Sequence, residues 1–223
     1  MAFMSGAADV EAIYKRRFTP DLAARQQMWQ VLCSGFFQRY IPTNAVVLEV
    51  GAGYCEFINS IRAGAKIAVD LNPDTQHYAN PDVHVVETTS TDLSAIESGS
   101  IDVAFASNFF EHLTRSDILT TMREVARALR PGGRFLILQP NIRYCARDFW
   151  MFFDHITPLD QYSLAEALEM SGFRVKKTIV RFLPFTTKSR LPKASWLISL
   201  YLRFPPAWRV LGQQSFVIAE LDL

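Results

Sequence analysis

Apolar and polar positions follow two periods along the chain, a helical one near 3.6 and the short continuous runs of covered strands. Between residues 8 and 40, Val10, Ile13 and Tyr14, then Leu22, Met28, Val31, Leu32 and Phe36 keep helical spacing. Thr19-Pro20-Asp21 supplies a cap and a first-turn proline between two helices, and Pro42 closes the section. Residues 45–50 predict a first strand, residues 54–62 a helix ended by Gly64, and residues 66–70 a second strand stopped by Asn72-Pro73. Residues 83–86 and 101–106 read as strands three and four. Residues 116–129 place Ile118, Leu119, Met122, Val125, Ala126 and Leu129 on one helical face, ended by Arg130-Pro131-Gly132-Gly133. A fifth strand at 134–138, a helix at 163–171 closed by Gly172, a sixth strand at 173–180 and a last one at 214–221 complete the pattern. Strands alternating with helices predict an α/β fold with a mostly parallel sheet.

At 223 residues and 49% apolar, the chain is long enough for one sizeable core and short for two ordinary domains. A formal charge of +1 gives no basic footprint, so nucleic acid is disfavoured as a partner. Cys33, Cys55 and Cys145 are scattered, with no C-x-x-C, which predicts neither a disulfide framework nor a metal site and fits a cytoplasmic protein. Residues 1–9 lack a basic stretch followed by an apolar one, so no secretory signal is expected. No apolar run approaches the ~20 residues of a membrane-spanning helix.

The densest chemical signal is Val46-Val47-Leu48-Glu49-Val50-Gly51-Ala52-Gly53-Tyr54, followed by Ile67-Ala68-Val69-Asp70. A strand that turns through glycines into a helix, beside a strand ending in a carboxylate, is how doubly wound proteins seat a nucleoside. A dinucleotide site wants a third glycine where Glu56 stands, and a carboxylate there would repel a pyrophosphate, which disfavours NAD or FAD. What remains is Glu49-x-Gly51-x-Gly53, with Asp70 after it. This resembles motif I and the following acidic position of class I S-adenosylmethionine-dependent methyltransferases.

The resemblance implies a three-layer Rossmann-like sheet of seven strands, the last antiparallel and inserted between the fifth and sixth. It divides the chain into a helical cap (1–42), a cofactor-binding core (43–181) and an apolar, basic insertion with the final strand (182–223). It also implies S-adenosylmethionine as cofactor: Glu49 near its amino-acid end, Gly51 and Gly53 facing methionine and ribose, and Asp70, followed by Leu71, on the ribose hydroxyls. Cys55 departs from the pattern, standing where the family often has a third glycine. Thr91-Asp92-Leu93 falls where such enzymes contact adenine, with Asp92 at the amino group and Leu93 against the ring; Asp92 could equally cap a turn before Ser94. Asn108 and Phe109, in Ser107-Asn108-Phe109-Phe110-Glu111-His112-Leu113, match the motif after strand four that lines the methyl-donor pocket. Arg130-Pro131-Gly132-Gly133-Arg134 resembles the family's turn before strand five and is read as structural.

Methyl transfer from a sulfonium needs alignment and dryness first, and a hydroxyl acceptor can additionally need a base. His112 and His155 are the candidates, both beyond carboxyl ends of strands, where doubly wound folds bind ligands; His77 and His84 read as surface or structural residues. Packing against the cofactor loop would also account for His112, and a bond to Asp154 or to backbone for His155. The insertion 139–162 mixes aromatic walls with polar groups, and Asn141, Arg143, Tyr144 and Trp150 are its candidate acceptor-binding residues. An aromatic helix packed on the sheet edge is the other account of that stretch. Gln139-Pro140-Asn141 and Asp154-His155-x-x-Pro158-Leu159 look similar to methyltransferases accompanying polysaccharide or glycolipid assembly, implying a small-molecule acceptor, lipid-linked in one version. Basic and aromatic residues interleave over 188–209, the pattern of a peripheral membrane contact, a lid or a dimer contact. Two other classes stay open here: a non-catalytic adenosyl-ligand-binding partner subunit, and a Rossmann-type oxidoreductase or epimerase using NAD.

Overall fold

The computed structural model describes residues 22–185 and 195–222. The expected helix over Val10, Ile13 and Tyr14, the Thr19-Pro20-Asp21 cap, and Lys188, Arg190, Leu191 and Lys193 of the tail lie outside the described residues. Seven strands form one sheet: β1 (Val46–Val50), β2 (Ala65–Asp70), β3 (Val83–Glu87), β4 (Ile101–Ser107), β5 (Leu129–Pro140), β6 (Phe173–Ile179) and β7 (Gln214–Leu221). Their order is β3-β2-β1-β4-β5-β7-β6. The pairs β1–β2, β2–β3 and β4–β5 are parallel, while β7 runs antiparallel to both β5 and β6. The fold class is the expected one, including the place of the last strand. The apolar runs that predicted strands are covered on both faces, with Val47, Leu48, Val50, Phe105, Leu136 and Ile137 all buried.

The helices are α1 (Leu22–Gly35), α2 (Glu56–Ser60), α3 (Thr75–Tyr78), α4 (Arg115–Ala128), α5 (Ile142–Phe149), α6 (Gln161–Glu169), α7 (Ser195–Arg203) and α8 (Pro205–Leu211). Two boundaries differ from the pattern for identifiable reasons. The turn at 130–133, expected to connect α4 to a strand at 134–138, lies inside the span of β5. Register with β4 passes from Ile101↔Leu129 to Val103↔Arg134, so these four residues form a bulge. Gly133 is fixed there by space, because a Cβ on it would stand 2.8 Å from the Arg130 carbonyl. α6 begins two residues earlier than expected, because Asp160 caps it: its Oδ1 accepts from Tyr162 N and Ser163 N, and Ser163 Oγ in turn accepts from the Asp160 amide.

Contacts divide the described residues into two compact units, 22–90 with 195–203, and 91–185 with 204–222. In the first, α1 packs on α2 and α7, and the rings of Trp29, Phe37 and Phe57 meet at centroid distances of 5.9 to 6.2 Å. In the second, Thr114 caps α4 by accepting from Asp117 N, and Ile118, Thr121, Met122, Val125 and Ala128 form its buried stripe. Leu119 and Ala126, assigned to that stripe by spacing, are half-buried at its margins. Among the described residues no helix is long and apolar enough to cross a membrane.

Asp160→Ala removes the acceptor for two helix amides, and the expected cost is about 1 kcal/mol. Urea unfolding should show it as a lower midpoint with an unchanged slope.

Candidate functional site

In the first unit the chain leaves β1 at Val50 and turns through three left-handed residues, Gly51 (φ 71°), Gly53 (φ 52°) and Cys55 (φ 59°). Gly51 N and Ala52 N donate to the Val69 carbonyl at 2.9 and 3.1 Å. Asp70 then fastens the loop from the neighbouring strand end: its Oδ2 accepts from Gly53 N at 2.6 Å and its Oδ1 from Asn72 N at 2.8 Å. Thr75 Oγ1 donates to the Gly53 carbonyl at 2.8 Å. Cys55 has the backbone of the glycine it replaces. An L-residue pays about 1–2 kcal/mol for that conformation, offset here by complete burial of the thiol beside the Thr75 carbonyl.

Glu49 and Asp70 are both buried carboxylates. Glu49 Oε2 accepts from Ile58 N at 3.1 Å, tying β1 to α2. Burial pushes the pKa of each above its ordinary value; backbone amides pull back on both, and the charges of Glu56 and Asp70 add to the rise at Glu49. Glu56 does not stand as the bare repelling charge expected from the sequence, because Arg25 of α1 pairs with its Oε1 at 2.7 Å. Leu71 is half-buried. Sequence reading passed over Asn72, taking it only as a strand stop. It is 1% exposed, its Oδ1 accepts from Asp74 N, and its Nδ2 has no hydrogen-bond partner among the described residues. A buried amide donor left open beside Asp70 marks a place for a polar ligand.

The second unit holds the remaining candidates. Asp92 is exposed and its Oδ1 accepts from Ser94 N at 3.0 Å, the turn cap left open as its other reading. Leu93 is fully buried, its amide donating to Glu124 Oε2 and its carbonyl accepting from Arg127 Nη2. Asn108 takes a left-handed conformation at the end of β4 (φ 48°); its amide donates to the Leu138 carbonyl and its Nδ2 to Ser107 Oγ. Phe109 beside it is half-buried.

The turn that follows, Phe110–His112, carries a cluster. His112 Nδ1 lies 3.1 Å from Asp154 Oδ2 and 3.2 Å from the Asp154 carbonyl, while its Nε2 is 4.0 Å from Glu111 Oε1. Burial works against charge on His112, but the hydrogen bond to Asp154 and the fields of Glu111 and Asp154 outweigh it and leave its pKa raised. Glu111 is buried, its Oε2 accepts from Gln139 Nε2 at 3.0 Å, and burial raises its pKa. His155 is buried, stacked on Phe152 at 4.8 Å, with the Phe149 ring at 4.7 Å and the His112 ring at 4.9 Å. The two histidines singled out in the sequence are therefore brought together, and Glu111, Gln139 and Asp154 join them. His77 and His84 are exposed, as expected.

The acceptor candidates divide. Asn141 is buried and occupied in holding the fold: it caps α5 through Arg143 N, and its Nδ2 donates to Gln161 Oε1 and Ser215 Oγ, which leaves it no amide hydrogen for an acceptor. Arg143 pairs loosely with Asp160 at 3.7 Å and lies over the Tyr162 ring. Tyr144 carries the Arg181 guanidinium over its ring at 4.7 Å. Arg143 and Tyr144 line an open hollow of about 520 Å³ with Arg147, Asp148 and Gln213. Trp150 is 60% exposed and packs edge-on against Phe149.

The family model described as a methyltransferase domain matches residues 48–137, from β1 through the glycine loop to β5. Over these residues the chain is similar to methyltransferase domains. A Mycolicibacterium smegmatis protein named a probable S-adenosylmethionine-dependent methyltransferase is 31% identical over 140 residues, 60% of this chain and 53% of that protein. The chain thus spans about half the length of this curated relative. A chain from the Haloferax volcanii complex of the Trm112 methyltransferase activator with a methyltransferase superposes with a TM-score of 0.68 at 16% identity, covering 94% of this chain and 96% of its own length. A SAM-dependent methyltransferase from Archaeoglobus fulgidus superposes at 0.63 and 20% identity, covering 98% and 96%. At such identities these structures share the fold.

The left-handed backbone at Cys55 sets a sharp steric test. Cys55→Val puts a branched Cβ there and should cost about 2 kcal/mol or more in urea unfolding. Cys55→Gly, which trades relief of that strain against loss of a buried thiol, should stay within about 1 kcal/mol of the parent.

Proposed function

We propose that the protein transfers the methyl group of S-adenosylmethionine to a hydroxyl of a small-molecule acceptor, a sugar or glycolipid. The observation that carries the cofactor half is the glycine loop clamped by the buried Asp70 carboxylate. The residues fit the ligand. Asp70 Oδ2 accepts from Gly53 N and Oδ1 from Asn72 N, with the Leu71 amide also acting on the carboxylate, which keeps lone-pair capacity for ribose hydroxyls; Asn72 Nδ2 adds a donor next to it. Glu49, Gly51, Gly53 and Leu71 complete the first unit's share, and Asp92, Leu93, Asn108 and Phe109 are the positions that the family likeness adds from the second.

Bound S-adenosylmethionine supplies an electrophilic methyl on a sulfonium. The chain's task is to hold an acceptor oxygen in line, exclude water and take its proton. His112 and His155 are the residues placed for that proton. Asp154 holds His112 through Nδ1 and so aims Nε2 into the Glu111–His155 cluster, and Phe149 and Phe152 keep its surroundings apolar. Arg143, Tyr144 and Trp150 remain candidates for binding the acceptor's polar and ring surfaces. A glycolipid acceptor is supported by the sequence likeness around 139–159 and by exposed apolar side chains on α7 (Trp196, Leu200) and around α8 (Phe204, Val210, Leu211). In the sequence Arg203 and Arg209 stand among these residues, and the three buried free cysteines fit a cytoplasmic location.

Titration calorimetry with S-adenosylmethionine, S-adenosylhomocysteine and NAD tests the cofactor. Asp70→Ala should weaken binding of the sulfur compounds by about 2 kcal/mol or more, through lost charge-assisted bonds and a released loop. His155→Ala should lower turnover while binding S-adenosylhomocysteine as the parent does. Binding of NAD alone, or cofactor binding without turnover across an acceptor panel, would overturn the assignment.

The surface contact is tested separately. The protein should sediment with anionic liposomes, lose that on Trp196→Ser with Leu200→Ser, and release as salt is raised. A protein left in the supernatant would refute the membrane contact.

A further inference from the structure

We propose that Glu111, His112 and His155 bind one divalent transition-metal ion of the zinc type. One ligand atom from each lies within 4.8 Å of the others. An ion about 2.0–2.2 Å from each ligand would draw them to about 3.5 Å, a contraction of roughly 1 Å that side-chain rotation can supply. Two imidazoles and a carboxylate form the donor set of zinc centres that keep a fourth position open.

The groups behind these ligands are those a metal site requires. A ligating histidine donates its other ring N–H to a carboxylate or carbonyl, which fixes its tautomer. His112 does so twice over, from Nδ1 to the side chain and the backbone of Asp154, which leaves Nε2 as the ligand on the Glu111 side. Glu111 is held in the same way: Gln139 Nε2 donates to Oε2, and Oε1 faces His112. Gln139 is 2% exposed and its Oε1 has no donor in reach among the described residues, a buried polar atom beside the cluster. The third ligand is docked firmly, because Ile156 N and Thr157 N both donate to the Glu111 carbonyl, at 2.8 and 3.1 Å. Phe149, Phe152 and Phe185 close around His155 and lower the local dielectric.

The ion's role rests on the function proposed above. A hydroxyl in the open position would lose its proton to solvent at neutral pH, and the oxygen would form its bond to the methyl carbon as the sulfur–methyl bond breaks, leaving a neutral ether and thioether. The histidines would then act as ligands, and water would carry the proton away.

The test uses the full-length protein, dialysed against chelator and titrated with cobalt(II). One ion per chain should bind and show the visible absorption of four- or five-coordinate cobalt. His155→Phe, which keeps a ring in the aromatic cage, should abolish those bands. Asp154→Asn, a positioning variant, should weaken cobalt binding roughly 10- to 100-fold. Both variants should bind S-adenosylhomocysteine as the parent does, which shows that they are folded. Absence of cobalt absorption in the parent, or equal cobalt affinity in parent and both variants, would overturn the site. Full turnover by the metal-free protein would remove the ion's role and leave the methyltransferase reading standing. Failure of the parent to bind S-adenosylhomocysteine would remove that reading and leave the cobalt result valid.

Discussion

The clamp that Asp70 places on the glycine loop is the contact on which the first unit's chemistry depends. One carboxylate takes the amide of Gly53 through one oxygen and that of Asn72 through the other, so the end of β2, the left-handed loop after β1 and the turn toward α3 move as one piece. A buried carboxylate is costly to ionise, and the bonds that offset the cost are backbone amides that would otherwise lie unpaired. Glu49 repeats the arrangement one strand over, through Ile58. Two acids that would destabilise a bare core thereby shape an oxygen-lined cradle.

The second unit solves the same problem differently. Glu111, His112 and Asp154 gather beside His155 and its aromatic rings, and each is matched by a protein partner. Removing one member of such a set strands the others, so pairing and position are bound together. The segment after α5 is anchored at Glu111 by two backbone bonds, which makes an apparent surface insertion a fixed wall. Asn141 shows the cost of reading polar residues in such a segment as ligand contacts. Its amide spends both donors on Gln161 and Ser215.

Local sequence carried the strands, the glycine loop and the acidic strand end, since each follows from short-range periodicity and from the few residues that tolerate a left-handed backbone. Cys55 was visible as an irregularity, but not that its backbone would hold the glycine conformation; only the burial of its thiol explains that. The bulge at 130–133 looked like a turn because proline and glycines mark both, and the register of β4 against β5 decides between them.

What chain order and residue type settled is therefore the α/β class, the place of the glycine loop and its acidic neighbour, and the presence of two histidines worth attention. What folding alone decided is the company those residues keep. Glu56 found Arg25, Asn72 was left with an open donor, and His112 met Asp154 and His155 from across the chain. Periodicity constrains neighbours within a turn or a strand. Burial and pairing of charges depend on groups distant in sequence, and their energies exist only once the segments have packed.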